Sequence, residues 1–320
     1  LKVLITGGSG FIGTNLVSHY LMNGAEVINV DTCPPRNKLH LSQWRDLDIN
    51  SKNSLADLVL KFDPDYCFHL AARTDLQGSS ISDYLTNTLG VENIVFALNQ
   101  CSNLKLAVFA SSMLVCKIGY HPKNWEDYCP TTPYGESKVI GEKIVKETDY
   151  IKFPWLILRP TSIWGPWFGE PYRNFFTLIS KNGYFHPGNL IIRRSYGFVL
   201  NTIYQLSKVQ QFNGGGLLYK TSYLADYSPI DLLSWATSIQ QSMKTRSIKS
   251  VPIQVFQAAA KFGDFLKIIG YKEFPMTSFR LNNMLTESVF EMDALQSLTG
   301  RLPYSYQDGV RITCDWLLEK

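Results

Sequence analysis

The 320-residue chain predicts an α/β fold: a doubly wound parallel sheet covered by helices on both faces, followed by a smaller α/β lobe. Short apolar runs alternate with amphipathic segments through the first half, and a glycine-rich turn joins the first run to the first such segment. After Gly165 the texture turns to aromatic, glycine and proline residues, as in "GPWFGEPYRNFF", "NGYFHPGN" and "FNGGG". The boundary falls there, with one domain over residues 1–165 and a second lobe over 166–320, some of whose segments return to the first.

In order along the chain, "KVLI", "EVINV", "YCFHL", "LKLAVFA" and "PWLIL" are short enough for strands buried on both faces. Phe11 to Met22, Leu55 to Lys61, Ser82 to Asn99 and Tyr134 to Lys146 have helical spacing. Pro133 suits a first helical position, where an N–H has no partner to lose. Beyond the boundary, Ser228 and Pro229 before "IDLLSWATSIQQ" read as a capped helix start. "PIQVFQAAAKFGDFLKIIG" reads as a helix ending at Gly270, and "SYQDGVRITCDWLLEK" as a C-terminal helix.

Composition narrows the function classes. A hydrophobic fraction of 45% is enough for one large core or two smaller ones. The net charge of +4 is spread over scattered Lys and Arg residues, with "IIRRSYG" the only tight basic pair, which suits a small anionic ligand and not a nucleic acid. Cysteines 33, 67, 101, 116, 129 and 314 show no C-x-x-C spacing and read as reduced thiols. No metal-ligand spacing is present, no apolar run approaches the ~18 residues of a membrane span, and no signal-peptide pattern precedes the first strand. The expectation is a soluble, cytoplasmic protein.

Two motifs carry chemistry. In "VLITGGSGFIG", Gly7, Gly10 and Gly13 stand between a strand and a helix, where they permit a tight turn and let backbone N–H groups approach a pyrophosphate. Asp31 ends the second strand, where a carboxylate fits ribose hydroxyls and repels a 2′-phosphate, favouring NAD over NADP. Arg36 and Lys38 in the following loop keep NADP as the alternative. In "TTPYGESKVIGEK", Tyr134 and Lys138 lie one helical turn apart. Lowering a phenol pKa from about 10 to about 7 takes roughly 4 kcal/mol, about what an ammonium ~4 Å away supplies at an effective dielectric near 20. Alone, the same spacing also belongs to ordinary helices.

Together with "DLDI", "HLAA", "NTLGVENIV", "VFASSMLV", "WEDYCPTTPYGESK" and "LRPTSIWGP", these motifs resemble, in order and over nearly the whole chain, the extended short-chain dehydrogenases/reductases. Within them the likeness is to the NAD-dependent epimerase/dehydratase, or nucleotide-sugar, family. The resemblance implies a Rossmann fold, with the second lobe binding substrate. It implies cofactor contacts from Gly7, Gly10, Phe11, Ile12, Gly13, Asp31, Asp48, Ile49, Leu70, Ala71, Ala72, Asn87, Ser111, Tyr134, Lys138 and Pro160. Tyr134 would exchange a proton with the substrate hydroxyl, Lys138 would bind the nicotinamide ribose and lower the tyrosine pKa, and Ser112, with Ser111 as its neighbouring competitor, would hold the substrate oxygen. Cys116 and Lys117 depart from the family's usual pattern there. A homodimer is implied, pairing the helices at Ser82 to Asn99 and Tyr134 to Lys146.

Substrate contacts implied by the resemblance are Arg194 and Arg280, for phosphate, and Ser162, which stands where many nucleotide-sugar members have Asn. Surface solvation is the plain alternative for both arginines. Glu126 stands before the tyrosine as in many relatives, or simply favours the helix N-terminus. Trp164, Trp167, Phe168, Tyr172, Phe175 and Phe176 line a ligand cleft or fill a core, and His69 is structural. Met113 and Leu114 stand where 4,6-dehydratases have an acidic pair, so no dehydratase activity is expected unless another acid such as Glu170 substitutes. The functions implied are a nucleotide-sugar epimerase or sugar reductase, next a 3β-hydroxysteroid- or dihydroflavonol-reductase-like dehydrogenase, and last a non-catalytic NAD sensor.

Overall fold

A computed structural model describes residues 1–269 and 276–319. Its strands are β1 (Lys2–Thr6), β2 (Glu26–Asp31), β3 (Trp44–Asp46), β4 (Tyr66–His69), β5 (Leu106–Ala110), β6 (Trp155–Pro160), β7 (Ser162–Trp164), β8 (Phe185–Pro187), β9 (Arg193–Arg194), β10 (Tyr196–Phe198), β11 (Thr221–Leu224), β12 (Ile230–Asp231) and β13 (Lys249–Val251). Its α-helices are α1 (Phe11–Met22), α2 (Lys52–Phe62), α3 (Leu89–Leu98), α4 (Pro133–Glu147), α5 (Tyr172–Ser180), α6 (Val199–Gln211), α7 (Leu232–Ser242), α8 (Ile253–Ile268), α9 (Ser278–Leu285), α10 (Asp293–Thr299) and α11 (Tyr306–Leu318).

Seven strands form one parallel sheet in the order β11-β6-β5-β4-β1-β2-β3. Val3 stands opposite Val27 on one side and Tyr66 on the other. The chain winds outward in opposite directions from β1 and β4, so a crevice opens beyond their C-terminal ends, where such sheets bind ligands. One face buries Leu16 and Val17 of α1 with Leu206 of α6 and Leu295 of α10. The other buries Leu55 and Val59 of α2, Ile94 of α3 and Val145 of α4. A third core holds Trp164, Phe176, Phe198, Trp235 and Val310. Segments beyond residue 165 do return: β11 extends the sheet beside β6, and α6 and α10 cover the same face as α1.

The structure changes two expected elements. The helix read over Ser82 to Asn99 is broken into a 3-10 stretch, Ile81–Asn87, and α3. Asp83 closes a capping box with Ser80 at its start, and the break falls at Tyr84, whose φ of −118° and ψ of 34° lie outside the helical region. Ser228 does not cap α7; Asp231 does, accepting from the Ser234 amide at 3.0 Å, because residues 230–231 first pair with β9. The helix read up to Gly270 is α8, and Gly270 itself lies outside the described residues. All six cysteines are free thiols, and no helix among the described residues is long and apolar enough to cross a membrane.

Candidate active site

A cleft of about 900 Å³ lies over the crevice, walled by the turn after β1, the ends of β2, β4 and β5, and the start of α4. Gly7 adopts φ +75°, and a Cβ on it would stand 2.6 Å from the Ala71 nitrogen. One on Gly13 would stand 2.2 Å from the Gly7 carbonyl oxygen. Only glycine permits this closeness of turn, helix and neighbouring strand end. Gly10 is the N-cap of α1 and no side chain caps that helix, so its first amides face the cleft as anion donors. These features fit a dinucleotide pyrophosphate.

Asp31 fixes the next part of the wall. Its carboxylate accepts from the Ser9 and Cys33 amides, both at 3.0 Å, while burial pushes its pKa up. Arg36 also lines the cleft and donates to the Trp167 carbonyl oxygen, whereas Lys38 opens a short turn outside it. Phe11, Ile12, Asp48, Ile49, Leu70, Ala71, Ala72, Ser111 and Pro160 all line the cleft. Asn87 does not. It is buried beside the cleft, where it accepts from the Arg73 amide at 2.9 Å and donates to the Arg73 carbonyl at 3.0 Å and the Ser137 hydroxyl at 2.9 Å. Its amide clamps a cleft wall to α4.

At the far end stand the three candidate catalytic side chains. Thr132 caps α4 by accepting from the Gly135 amide at 3.1 Å, with Pro133 in the first turn, so Tyr134 and Lys138 enter the cleft from one helical face. The Tyr134 phenol lies beside the Ser112 hydroxyl, which accepts from the Leu114 amide at 3.1 Å. Ser111 uses its hydroxyl elsewhere, on Glu142 at 2.6 Å, which separates the roles of the two adjacent serines. Lys138 donates to the Ala110 carbonyl at 3.0 Å; burial pulls its pKa down to about 8, and Glu142 one turn further works against that fall. Burial raises the Tyr134 pKa, against the expected lowering by Lys138, because the phenol is enclosed and the opposing influence comes from Ser112.

Behind this end lies a network that spacing alone does not reveal. Glu142, buried, receives Arg159 Nε at 2.7 Å and Nη2 at 2.8 Å, the Ser111 hydroxyl, and the Tyr128 hydroxyl at 2.9 Å. Tyr134, Lys138 and Glu142 form one i, i+4, i+8 stripe, so the pattern was present in the sequence, but its partner at 159 was not predictable from it. Glu126 does not serve the N-terminus of α4; it pairs with Lys146 in the last turn at 3.1 Å. His69 is buried, bonded to Thr6 at 2.8 Å, and held neutral by burial.

The expected substrate residues lie elsewhere. Arg194 and Arg280 line a second cavity, a groove of about 940 Å³ among α5, α7, α8 and α9. Arg194 Nη2 donates to the Asn283 and Thr286 carbonyls, tying β9 to α9. Ser162 is buried beside Tyr172 and lines neither cavity, since β7 turns its side chain into the lobe. Trp164, Phe168 and Phe176 are core, Tyr172 and Phe175 line the groove, and Trp167 packs on Trp316 at 5.8 Å. The acids of the cleft are Asp31, Asp48 and Glu170.

Residues 3–197 match the NAD dependent epimerase/dehydratase family. The chain is 27% identical over 255 residues to a 3-beta-hydroxysteroid dehydrogenase of Mycolicibacterium neoaurum, spanning 74% of this chain and 69% of that one. It is 23% identical over 323 residues to an N-acetyl-alpha-D-glucosaminyl-diphospho-ditrans,octacis-undecaprenol 4-epimerase of Escherichia coli O157:H7, spanning 98% and 95%. In fold it is similar to the UDP-glucuronic acid 4-epimerase of Bacillus cereus solved with NAD, at a TM-score of 0.76 and 18% identity over 100% of this chain and 97% of the other. With a family match over more than half its length, this chain belongs to the NAD-dependent epimerase/dehydratase family.

Proposed function

We propose that the chain is an epimerase acting at a secondary hydroxyl of a sugar carried on a diphosphate. The observation that carries this is the placing of Tyr134 beside Ser112 in the dinucleotide cleft, with Lys138 one helical turn away. When bound, NAD supplies the hydride acceptor and returns the hydride. Tyr134 takes the hydroxyl proton as the carbon is oxidised and gives it back on reduction; Ser112 holds the same oxygen through both steps. Lys138, with Glu142 favouring its charged form, presents a cation beside Tyr134 and the nicotinamide ribose. Epimerisation needs the ketone to be reduced from its other side before it leaves.

The diphosphate is the element common to the names of two similar epimerases, one acting on a UDP-sugar and one on a diphospho-undecaprenol sugar. A second reading, oxidation of an apolar alcohol, is favoured by the apolar groove and by likeness to a steroid dehydrogenase. A silent NAD sensor has no use for Ser112, Tyr134 and Lys138 gathered in the cleft. We also propose a homodimer, supported by Ile81, Leu85, Leu89 and Phe96, which remain exposed on the 3-10 stretch and on α3, and a cytoplasmic location, supported by the free thiols. Light scattering that gives a monomer at micromolar concentration would overturn the dimer.

The test is conversion of diphosphate-linked hexoses with NAD, followed by chromatography of the sugars. Tyr134→Phe keeps the ring and loses the acid/base, so turnover falls by at least ~10² while NAD still binds. Near-normal activity would sink the mechanism. No 4-keto-6-deoxy product is expected, since Met113 and Leu114 move no proton; its appearance would assign the elimination to Glu170.

A further inference from the structure

Two arms of the chain carry Ser112 and Tyr134, and a pair of cysteines stands where those arms meet. Ser112 opens a short 3-10 turn, Met113–Val115, with Cys116 directly after it. Cys129 lies on the other arm, shortly before Thr132 caps α4 and Tyr134 enters the cleft. Cys116 and Cys129 face each other as an isolated parallel β-bridge. The Cys129 amide donates to the Val115 carbonyl at 3.0 Å, and the Lys117 amide to the Cys129 carbonyl at 2.8 Å.

We propose that Cys116 and Cys129 are an oxidative modification site, a thiol pair that closes to a reversible disulfide and joins the serine arm of the active site to the tyrosine arm. Chains bonded as these are stand about 4.8 Å apart, inside the ~4.4–6.8 Å between Cα atoms that a disulfide spans, and directly paired residues point to the same face. Cys129 is partly exposed, while Cys116 is 4% exposed and burial pushes its pKa up, so Cys129 is the one that meets an oxidant first. The Cys129 thiolate attacks a low-molecular-weight disulfide such as oxidised glutathione, forming a mixed disulfide and releasing one glutathione thiolate. The Cys116 thiolate then attacks the Cys129 sulfur, and the second glutathione leaves. The two cysteines give up two protons and two electrons, and the glutathione disulfide takes up both. In a reducing compartment such a bond is transient, as a redox sensor requires.

The cross-link bears on catalysis because the two arms are packed without slack. A Cβ on Gly135 would stand 2.3 Å from the Leu114 carbonyl oxygen and 3.2 Å from the Pro130 side chain. The Leu114 amide in turn donates to the Ser112 hydroxyl at 3.1 Å. With both thiols free, Cys116 donates to the Asp127 carbonyl at 3.4 Å, and the Asp127 carboxylate accepts from the Tyr120 hydroxyl and the Lys123 amide, both at 2.8 Å. Turning Cys116 toward Cys129 breaks the first of these bonds, and the pull falls on the turn that places Ser112 beside Tyr134. The glycine turn and Asp31 belong to other strands, so NAD binding is retained. The effect on turnover rests on the reading of Ser112 and Tyr134 as reacting groups; the cross-link itself does not.

The test incubates the full chain, loaded with NAD, with oxidised or reduced glutathione, alkylates the remaining thiols and maps disulfide peptides by mass spectrometry, beside assays of turnover on diphosphate-linked hexoses. Expected are a peptide pair joined at Cys116 and Cys129, a fall in turnover of about tenfold or more with NAD still bound, and full recovery with dithiothreitol. Cys129→Ala, at a partly exposed position, keeps turnover and loses the sensitivity to oxidant; Cys116→Ala reads the same should the first variant not fold. Absence of the joined peptides, or a cross-linked chain with unchanged turnover, would overturn the proposal. Undiminished sensitivity of Cys129→Ala does so too, and assigns the effect to Cys33, exposed at the cofactor cleft. A mapped, reversible cross-link in a chain that turns over no diphosphate-linked sugar when reduced counts against the epimerase reading and leaves the modification site standing.

Discussion

The lining of the cofactor cleft ends in sequence at Glu170 and that of the groove begins at Pro171, yet the two are made by opposite means. The cleft is held by backbone closeness and polar contacts: glycines that admit no Cβ, Asp31 bound by two amides, and the catalytic helix fastened through Glu142. The groove is an assembly of side chains from helices far apart in sequence, most of them apolar and several partly exposed. One region is specified by geometry, which tolerates little change. The other is specified by surface character, which many residues supply equally well.

The largest test of that contrast is Glu142→Ala. Glu142 and Arg159 are 2% and 0% exposed at the side chain, and removing one member of a buried pair costs about 3–5 kcal/mol because the other is left uncompensated. Urea unfolding should show that loss together with a fall in turnover; a change below about 1 kcal/mol would mean that packing, not the ion pair, fixes α4.

Asp226, buried just past β11, gives the next test. It accepts from the Phe198 amide at 3.3 Å, and burial carries its pKa from 3.8 to about 7. The folded chain therefore keeps a proton that the unfolded chain has released. Its contribution to stability is complete below about pH 4 and is lost as pH rises through about 7, a decline of roughly 3 kcal/mol between pH 5 and 8. Asp226→Asn should flatten that part of the profile, and an unaltered slope would place the titrating group elsewhere.

The smallest effect belongs to Asp31→Ala. Losing an acceptor and a charge that repels a 2′-phosphate weakens NAD by about tenfold and narrows the gap to NADP. Calorimetry with both cofactors reads it directly. An unchanged preference would assign ribose recognition to another residue on that wall, Arg36 included.

What was legible in the sequence follows the same division. The glycine turn, Asp31 and the Tyr134–Lys138 pair were readable because strand, turn and helix fix their geometry within a few residues. Asn87 was assigned to the cofactor because motif position marks a residue without showing where its amide is spent. Arg194 was marked for phosphate, but its bonds to the carbonyls of α9 arise from pairing over some 90 residues of chain. The lowered tyrosine pKa was an estimate from two charges alone, and enclosure of the phenol, which no spacing encodes, outweighed it. The aromatic run after Gly165 divided between core and groove according to which helix each ring met.

The fastening of α4 has a consequence for how relatives diverge. Every partner of Glu142, namely Ser111, Tyr128, Lys146 and Arg159, precedes residue 165, whereas the groove is lined from residue 171 onward. Tyr134, Ser112 and Lys138 therefore keep their places without help from the part of the chain that lines the groove. A lineage can exchange one carrier for another, or a sugar for an alcohol of different shape, through changes confined to the later segments. Steroid and sugar chemistries among the proteins similar to this one are what such independence permits.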